Sequence, residues 1–157
     1  MKKFRDIGFD SEEASKVVES LNLLLSNYQV FYQKLRNFHW NVSGDQFFEL
    51  HEVFETMYNV VKVDIDDIAE RIKVFGKSPY STLKEYIETS EIQECPSDFS
   101  SDKMTTEIVA DIDILLSFFI ESYEEAALVG DIGTVDMIKK MVKWAEKQHW
   151  MLSSYNS

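Results

Sequence analysis

The sequence predicts an all-α protein: four long helices in a bundle, with a long crossover between the second and third long helices that carries a short helix of its own. Three observations predict it. Apolar residues recur at helical spacing along four extended stretches. Strong breakers are scarce, with 5 glycines and 2 prolines in 157 residues, which argues against a many-turned β-fold. The gaps between the four stretches run short, long, short.

The first helix, α1, is expected over about 11–38. Asp10-Ser11-Glu12-Glu13 reads as its start, with a side-chain cap and acids in the first turn. Val17, Leu21, Leu24, Leu25, Tyr28, Phe31, Leu35 and Phe38 form its apolar stripe. Ser43-Gly44 marks a turn. Helix α2 is expected over about 46–75, with Phe47, Leu50, Phe54, Met57, Val61, Ile65, Ile68 and Ile72 on its stripe and Gly76 as its stop. The stretch 76–100 holds both prolines, Pro79 and Pro96, and Thr82 to Thr89 suit a short α3. Helix α4 is expected over about 101–129, with Ile108, Ile112, Leu115, Leu116, Phe119 and Ile120 inward and Gly130 at its end; α5 follows over about 134–155. A helix of ~30 residues is ~45 Å long. A ~25-residue connection spans that length at ~3.3 Å per residue. One long crossover in a four-helix bundle is the ferritin-like topology. The length suits a single domain over 1–157, with 1–10 as a short N-terminal tail.

The formal net charge is −12. Such a surface repels nucleic-acid phosphates and anionic membranes and attracts cations. Only Lys2, Lys3 and Arg5 precede Asp6, and the chain ends Ser-Tyr-Asn-Ser, so the clustered cations that drive DNA binding through counterion release are missing. DNA binding is therefore expected to be weak or absent. Cys95 is the only cysteine, which precludes an intrachain disulfide and fits a reducing compartment. The basic first residues lead into a charged, amphipathic stretch, unlike a signal peptide. No run of ~18 apolar residues offers a membrane span. The cytoplasm is the expected location.

There are three histidines, His39, His51 and His149. A lone helical histidine is more often a polar core or surface residue than a ligand, but His51 has company. At ~100° per residue, Glu55, Asp66 and Glu70 fall within an arc of about 100° from His51. Any one of these carboxylates reads better as a solvated surface acid. Two histidines and three carboxylates together leave a metal site and a solvated face level. Distance constrains the metal reading further. Glu55 and Asp66 lie 11 residues apart, ~16.5 Å along a helix, whereas metal–ligand bonds are ~2 Å. One straight helix cannot close that gap. Two antiparallel copies about a two-fold axis can, with the His51/Glu55 end of one meeting the Asp66/Glu70 end of the other. His39, near the end of α1, is placed to complete the first cluster. Imidazole with carboxylate suits iron or another first-row metal.

Several segments resemble one family. Asn37-Phe38-His39-Trp40-Asn41-Val42-x-Gly44, Phe47-Phe48-x-Leu50-His51-Glu52-x-Phe54-Glu55 and Asp66-x-x-Ala69-Glu70-Arg71-Ile72 resemble the signatures of the Dps-type mini-ferritins. Ser81-Thr82-Leu83-Lys84-Glu85-Tyr86 and Trp150-Met151-Leu152 resemble further family positions. The resemblance spans nearly the whole chain and is most specific between Asn37 and Ile72. It implies a hollow shell of twelve copies that takes in Fe(II), oxidises it at dyad interfaces, often with hydrogen peroxide in preference to oxygen, and stores Fe(III). It implies His39, His51 and Glu55 as ligands from one subunit and Asp66 and Glu70 from its partner. Glu55 stands where many relatives have Asp, so its longer arm bears on the second iron. Trp40 adjoins the site and is either a trap for stray oxidising equivalents or a packing aromatic. Asp131 and Asp136, in Gly130-Asp131-x-Gly133-Thr134-x-Asp136, resemble the acidic pore segment of the family. They either guide cations inward or cap α5. Arg71 is expected to pack or to pair with an acid.

Two other readings compete. One is an acidic helical bundle that acts only as an interaction protein, with the α2 carboxylates solvated. The other is a di-iron enzyme with its site inside one bundle. That needs two Glu-x-x-His repeats, and the sequence holds one, Glu146-x-x-His149.

Overall fold

The computed structural model describes residues 11–157, in the order α1 (Ser11–Asn41), α2 (Phe47–Val74), α3 (Leu83–Thr89), α4 (Ser101–Leu128) and α5 (Ile132–Tyr155). The proposed capping residue Asp10 and the 1–10 tail lie outside the described residues. Helices α1 and α2 form one hairpin, α4 and α5 another; α1 packs on α4, and the short α3 lies against α1. Among the described residues there is no strand, and no helix is long and apolar enough to cross a membrane.

The predicted stripes make one continuous core. Every apolar residue singled out on α1 is buried, and so are Leu50, Phe54, Met57, Val61, Ile68 and Ile72 of α2. Phe47 and Ile65 pack at its edge. On α4 the reading fails at one position. Phe119 is fully buried but Ile120 is 55% exposed. One residue on is 100° round a helix, which carries Ile120 out over an apolar groove lined by Phe119, Tyr123, Ile138 and Val142.

The breaks have local causes. Gly44, Gly76 and Gly130 have φ of 95°, 74° and 72°, a region L-residues with a Cβ rarely adopt. The reading that starts α5 near 134 is two residues late, because Asp131 is the cap: its side chain accepts from the Thr134 N–H at 3.1 Å. Helix α3 carries a capping box, with the Glu85 N–H donating to Thr82 Oγ1 and the Thr82 N–H to Glu85 Oε2. The N–H groups of Ser81 and Thr82 both donate to Glu85 Oε2 and hold the exposed Glu85 carboxyl below its usual pKa. The crossover has little periodicity of its own and is tied down by asparagines of α1. Asn22 Oδ1 accepts from the Tyr80 N–H, buried Asn27 Oδ1 from the N–H groups of Glu91 and Ile92, and Asn37 Nδ2 donates to the Cys95 carbonyl. Each satisfies loop backbone that would otherwise be costly to bury.

Candidate metal centre

The short turn after α1 sets the last turn of that helix beside the first turns of α2. His39 and His51 face each other there in a reciprocal lock. His39 Nδ1 donates to the His51 carbonyl and His51 Nδ1 to the His39 carbonyl, each at 2.7 Å. A carbonyl only accepts, so both Nδ1 atoms carry the proton and both Nε2 atoms present lone pairs. The rings stack with centroids 3.8 Å apart and planes 15° apart. Phe47 stacks on the far face of His51 at 4.9 Å. A histidine whose second nitrogen is held in this way has a fixed tautomer and ring orientation, as metal-ligating histidines do.

Glu55, one turn on from His51, completes a group. One ligand atom each from His39, His51 and Glu55 lie within 4.8 Å of one another. His39 is buried, His51 half-buried and Glu55 exposed, so the group opens at the surface. Among the described residues it is the only set of three or more His, Cys, Asp or Glu close enough to hold a metal. Three ligands on one side with an open face make half of a coordination sphere.

Asp66 and Glu70 do not join that group within the chain. Both are exposed. Glu70 lines a groove of about 510 Å³ between α2 and α5 with Asp64, Asp67, Arg71 and Asp136. In that groove the Tyr28 hydroxyl donates to Asp64 Oδ2 at 3.1 Å, and burial pushes the Asp64 carboxyl up to about 6.

The remaining singled-out residues separate clearly. Trp40 is 59% exposed and packs under the Arg36 guanidinium at 5.4 Å. A second aromatic ring, besides Phe47, touches a candidate ligand: Tyr58 lies edge-on to His39 at 5.3 Å, with Tyr32 edge-on to Tyr58 at 6.0 Å. The sequence reading missed both tyrosines, although a signal was present. Tyr58 follows His51 by seven residues and Tyr32 precedes His39 by seven, which puts each about 20° off its histidine's face, two turns away. Burial and the Glu55 carboxylate raise the Tyr58 phenol above its ordinary pKa.

Of the two roles weighed for Asp131, the structure describes capping. Asp131 is 1% exposed and pairs with Arg71 Nη2 at 2.5 Å, while Arg71 Nε donates to Thr134 Oγ1 at 2.9 Å. It is therefore not presented to solvent to guide cations. Asp136 is exposed and pairs with Lys140 at 3.2 Å. A Cβ on Gly133 would lie 2.7 Å from the Arg71 guanidinium, which accounts for the glycine there. His149 Nε2 lies 3.1 Å from Asp113 Oδ1, between α5 and α4. The intrachain di-iron reading thus lacks a second cluster among the described residues.

A four-helix bundle with one long crossover and an imidazole–carboxylate half-site defines the ferritin-like class of protein. The Ferritin-like domain family model matches residues 18–157. The chain is 39% identical over 140 residues to DNA protection during starvation protein 2 of Bacillus anthracis, covering 89% of this chain and 96% of that one. It is 34% identical over 142 residues to general stress protein 20U of Bacillus subtilis, covering 90% and 98%. Its structure matches the Dps protein of Vibrio cholerae with a TM-score of 0.93 at 34% identity, covering 96% of this chain and 95% of that one. The chain belongs to the ferritin-like family, as a Dps-type mini-ferritin.

Proposed function

We propose that this protein oxidises Fe(II) at sites shared between two copies and stores the Fe(III) in a closed shell of, as the resemblance implies, twelve copies. His39, His51 and Glu55 bind from one copy and Asp66 and Glu70 from its partner. The observation that carries the reading is the reciprocal His39–His51 lock. It ties both Nδ1 atoms to backbone carbonyls and leaves both Nε2 atoms free to bind, with one ligand atom each from His39, His51 and Glu55 within 4.8 Å of one another. The Vibrio cholerae relative is described as one of the ferritin-like diiron-carboxylate proteins, which agrees with iron as the substrate.

With hydrogen peroxide the reaction balances as two Fe(II), one peroxide and two protons giving two Fe(III) and two waters; dioxygen is the other oxidant to compare. The reaction consumes both reagents of hydroxyl-radical chemistry, so several relatives' names for DNA protection fit protection by removal of iron and peroxide. The net charge of −12 opposes direct DNA binding. Asp136 remains a residue to test at the cation entrance.

A mixing experiment tests the shared site. One variant carries His51→Ala and Glu55→Ala, the other Asp66→Ala and Glu70→Ala. Each alone loses rapid Fe(II) oxidation, read as ferric absorbance after anaerobic loading and addition of peroxide. Co-assembled in equal amounts, about half the dyads are mixed, and each mixed dyad has one intact site, so roughly a quarter of wild-type sites return. No recovery in proven mixed shells overturns the shared site. No iron oxidation by the wild-type protein would favour the interaction-protein reading.

A further inference from the structure

We propose that Lys34 and Cys95 join through a sulfur–nitrogen bond when the protein meets hydrogen peroxide, forming a reversible covalent staple between α1 and the crossover. The step uses no iron, so it stands apart from the iron-site reading above.

Cys95 belongs to a cluster of four reactive or charged side chains under the crossover. Its carbonyl accepts from Asn37 Nδ2 at 2.8 Å, which holds this part of the crossover against α1. The thiol and the Lys34 ammonium both reach one carboxylate oxygen: Cys95 Sγ is 3.8 Å and Lys34 Nζ 4.0 Å from Glu107 Oε2. Lys34 also hydrogen-bonds the thiol. The lysine side chain is 2% exposed, and its Nζ lies 2.7 Å from Asp111 Oδ2. An amine is thus packed against a sulfur in the interior, where both are held for reaction. Cys95 is half-buried, and a cavity of about 310 Å³ lined by both Lys34 and Cys95 admits a molecule as small as peroxide. Burial raises the thiol above its usual pKa, and the Lys34 ammonium pulls the other way. The thiol is therefore a slow nucleophile, suited to sustained peroxide and not to its traces.

The bond forms in two balanced steps. The Cys95 sulfur attacks peroxide, the O–O bond breaks, sulfur keeps one oxygen as sulfenic acid, and one water leaves. Sulfur is oxidised and peroxide is reduced. Lys34 Nζ gives one proton to Asp111 Oδ2 and, as the free amine, attacks the sulfenic sulfur. The S–N bond forms and the S–O bond breaks, and the departing hydroxide takes a second proton from Nζ as water. One thiol, one peroxide, one ammonium and one carboxylate thus give a sulfenamide, two waters and a carboxylic acid. Asp111 suits its part, because burial raises its carboxyl to about 6 even beside the lysine. Once the cation is gone it keeps the proton, and no buried charge is left unpaired. Glu107 retains Lys103 Nζ at 2.7 Å and stays ionised. Two molecules of a thiol reductant return the cysteine and the lysine and leave as a disulfide.

The test is mass spectrometry on assembled, iron-free protein treated with excess hydrogen peroxide, then denatured and digested without reductant. Wild type, which needs no mutation, should lose its free thiol. It should yield one joined peptide carrying Lys34 and Cys95, about 2 Da lighter than its two parts together. A thiol reductant should restore both parts. Lys34→Arg, which keeps a cation beside Asp111, should give no joined peptide and leave Cys95 carrying oxygen. Oxygen added to Cys95 in wild type with Lys34 unmodified overturns the staple. So does an unreacted thiol, a disulfide between the Cys95 residues of two copies, or a bond from Cys95 to any residue but Lys34. A joined peptide about 14 Da heavier than its parts, the mark of an intervening oxygen, overturns the direct bond. Failure of the protein to oxidise Fe(II) would remove the iron-site reading and leave every one of these outcomes unchanged.

Discussion

The two ends of α2 are built on different terms. At the N-terminal end, His51 is locked to His39, stacked on both faces and backed by Phe47. At the C-terminal end, Asp66 and Glu70 are exposed, while their neighbour Arg71 is pinned to Asp131 and Thr134. The contrast separates residues positioned by the chain's own fold from residues that, on the proposed function, a partner copy would use. If the site is divided as proposed, it is complete only in the oligomer, and iron oxidation is conditional on assembly.

The largest stability effect should come from Arg71. Arg71→Ala leaves the buried Asp131 carboxylate without its cation, and breaking a buried pair on one side costs about 3 kcal/mol. The loss is read as a lowered denaturation midpoint. If Arg71→Ala is neutral, the C-terminal end is not anchored through this pair.

Asp64, between the two ends, should act in the opposite direction. Its carboxyl is raised from 3.8 to about 6 by burial, so the ionised form costs the fold stability at pH above about 6. That cost is relieved as pH falls through 6 towards 4, because the folded state then binds a proton the unfolded chain does not. Asp64→Asn keeps an oxygen for the Tyr28 hydroxyl and removes the charge. The variant should be more stable than wild type by about 2 kcal/mol at pH 7.5, discounting the shift for partial exposure, with the difference vanishing near pH 4. A difference that grows as pH falls would reverse the assignment.

At the N-terminal end, His51→Ala removes the donor to the His39 carbonyl and leaves buried His39 without its stacking partner. About 1–2 kcal/mol should be lost, together with iron oxidation. Loss of activity with no change in stability would mean that the lock contributes nothing to the fold.

The bundle was legible in the sequence because its core stripes are long and regular, and three of its turns need a glycine at positive φ. Ile120 misled because an apolar residue over a surface groove carries the same sequence signal as one in the core. The nearness of His51 and Glu55 was legible from their spacing, and the part of Asp66 and Glu70 belongs to the proposed assembly. The lock was not legible, because it runs through backbone carbonyls that no side-chain pattern reports. Asp131 was ambiguous since a cap and a pore acid look alike until burial distinguishes them. Tyr58 was overlooked because adjacency drew attention to Trp40, whereas a helix places neighbours in space at three, four and seven residues.

The smallest stability effect should come from Asp66→Asn combined with Glu70→Gln. Both side chains are exposed, and such substitutions stay within about 0.5 kcal/mol, so without iron the double variant should unfold at the wild-type midpoint. Iron should separate them. A ligand that binds only the folded state stabilises it by mass action, by about 2.7 kcal/mol at a hundred times its Kd. Added anaerobically, Fe(II) should therefore raise the wild-type midpoint and leave the double variant almost unmoved. If both rise equally, the N-terminal half-site holds the ion alone and the partner's carboxylates add nothing to binding. If the variant falls without iron, Asp66 and Glu70 support the assembled interface itself, and their exposure in the single chain reflects a surface that the partner covers.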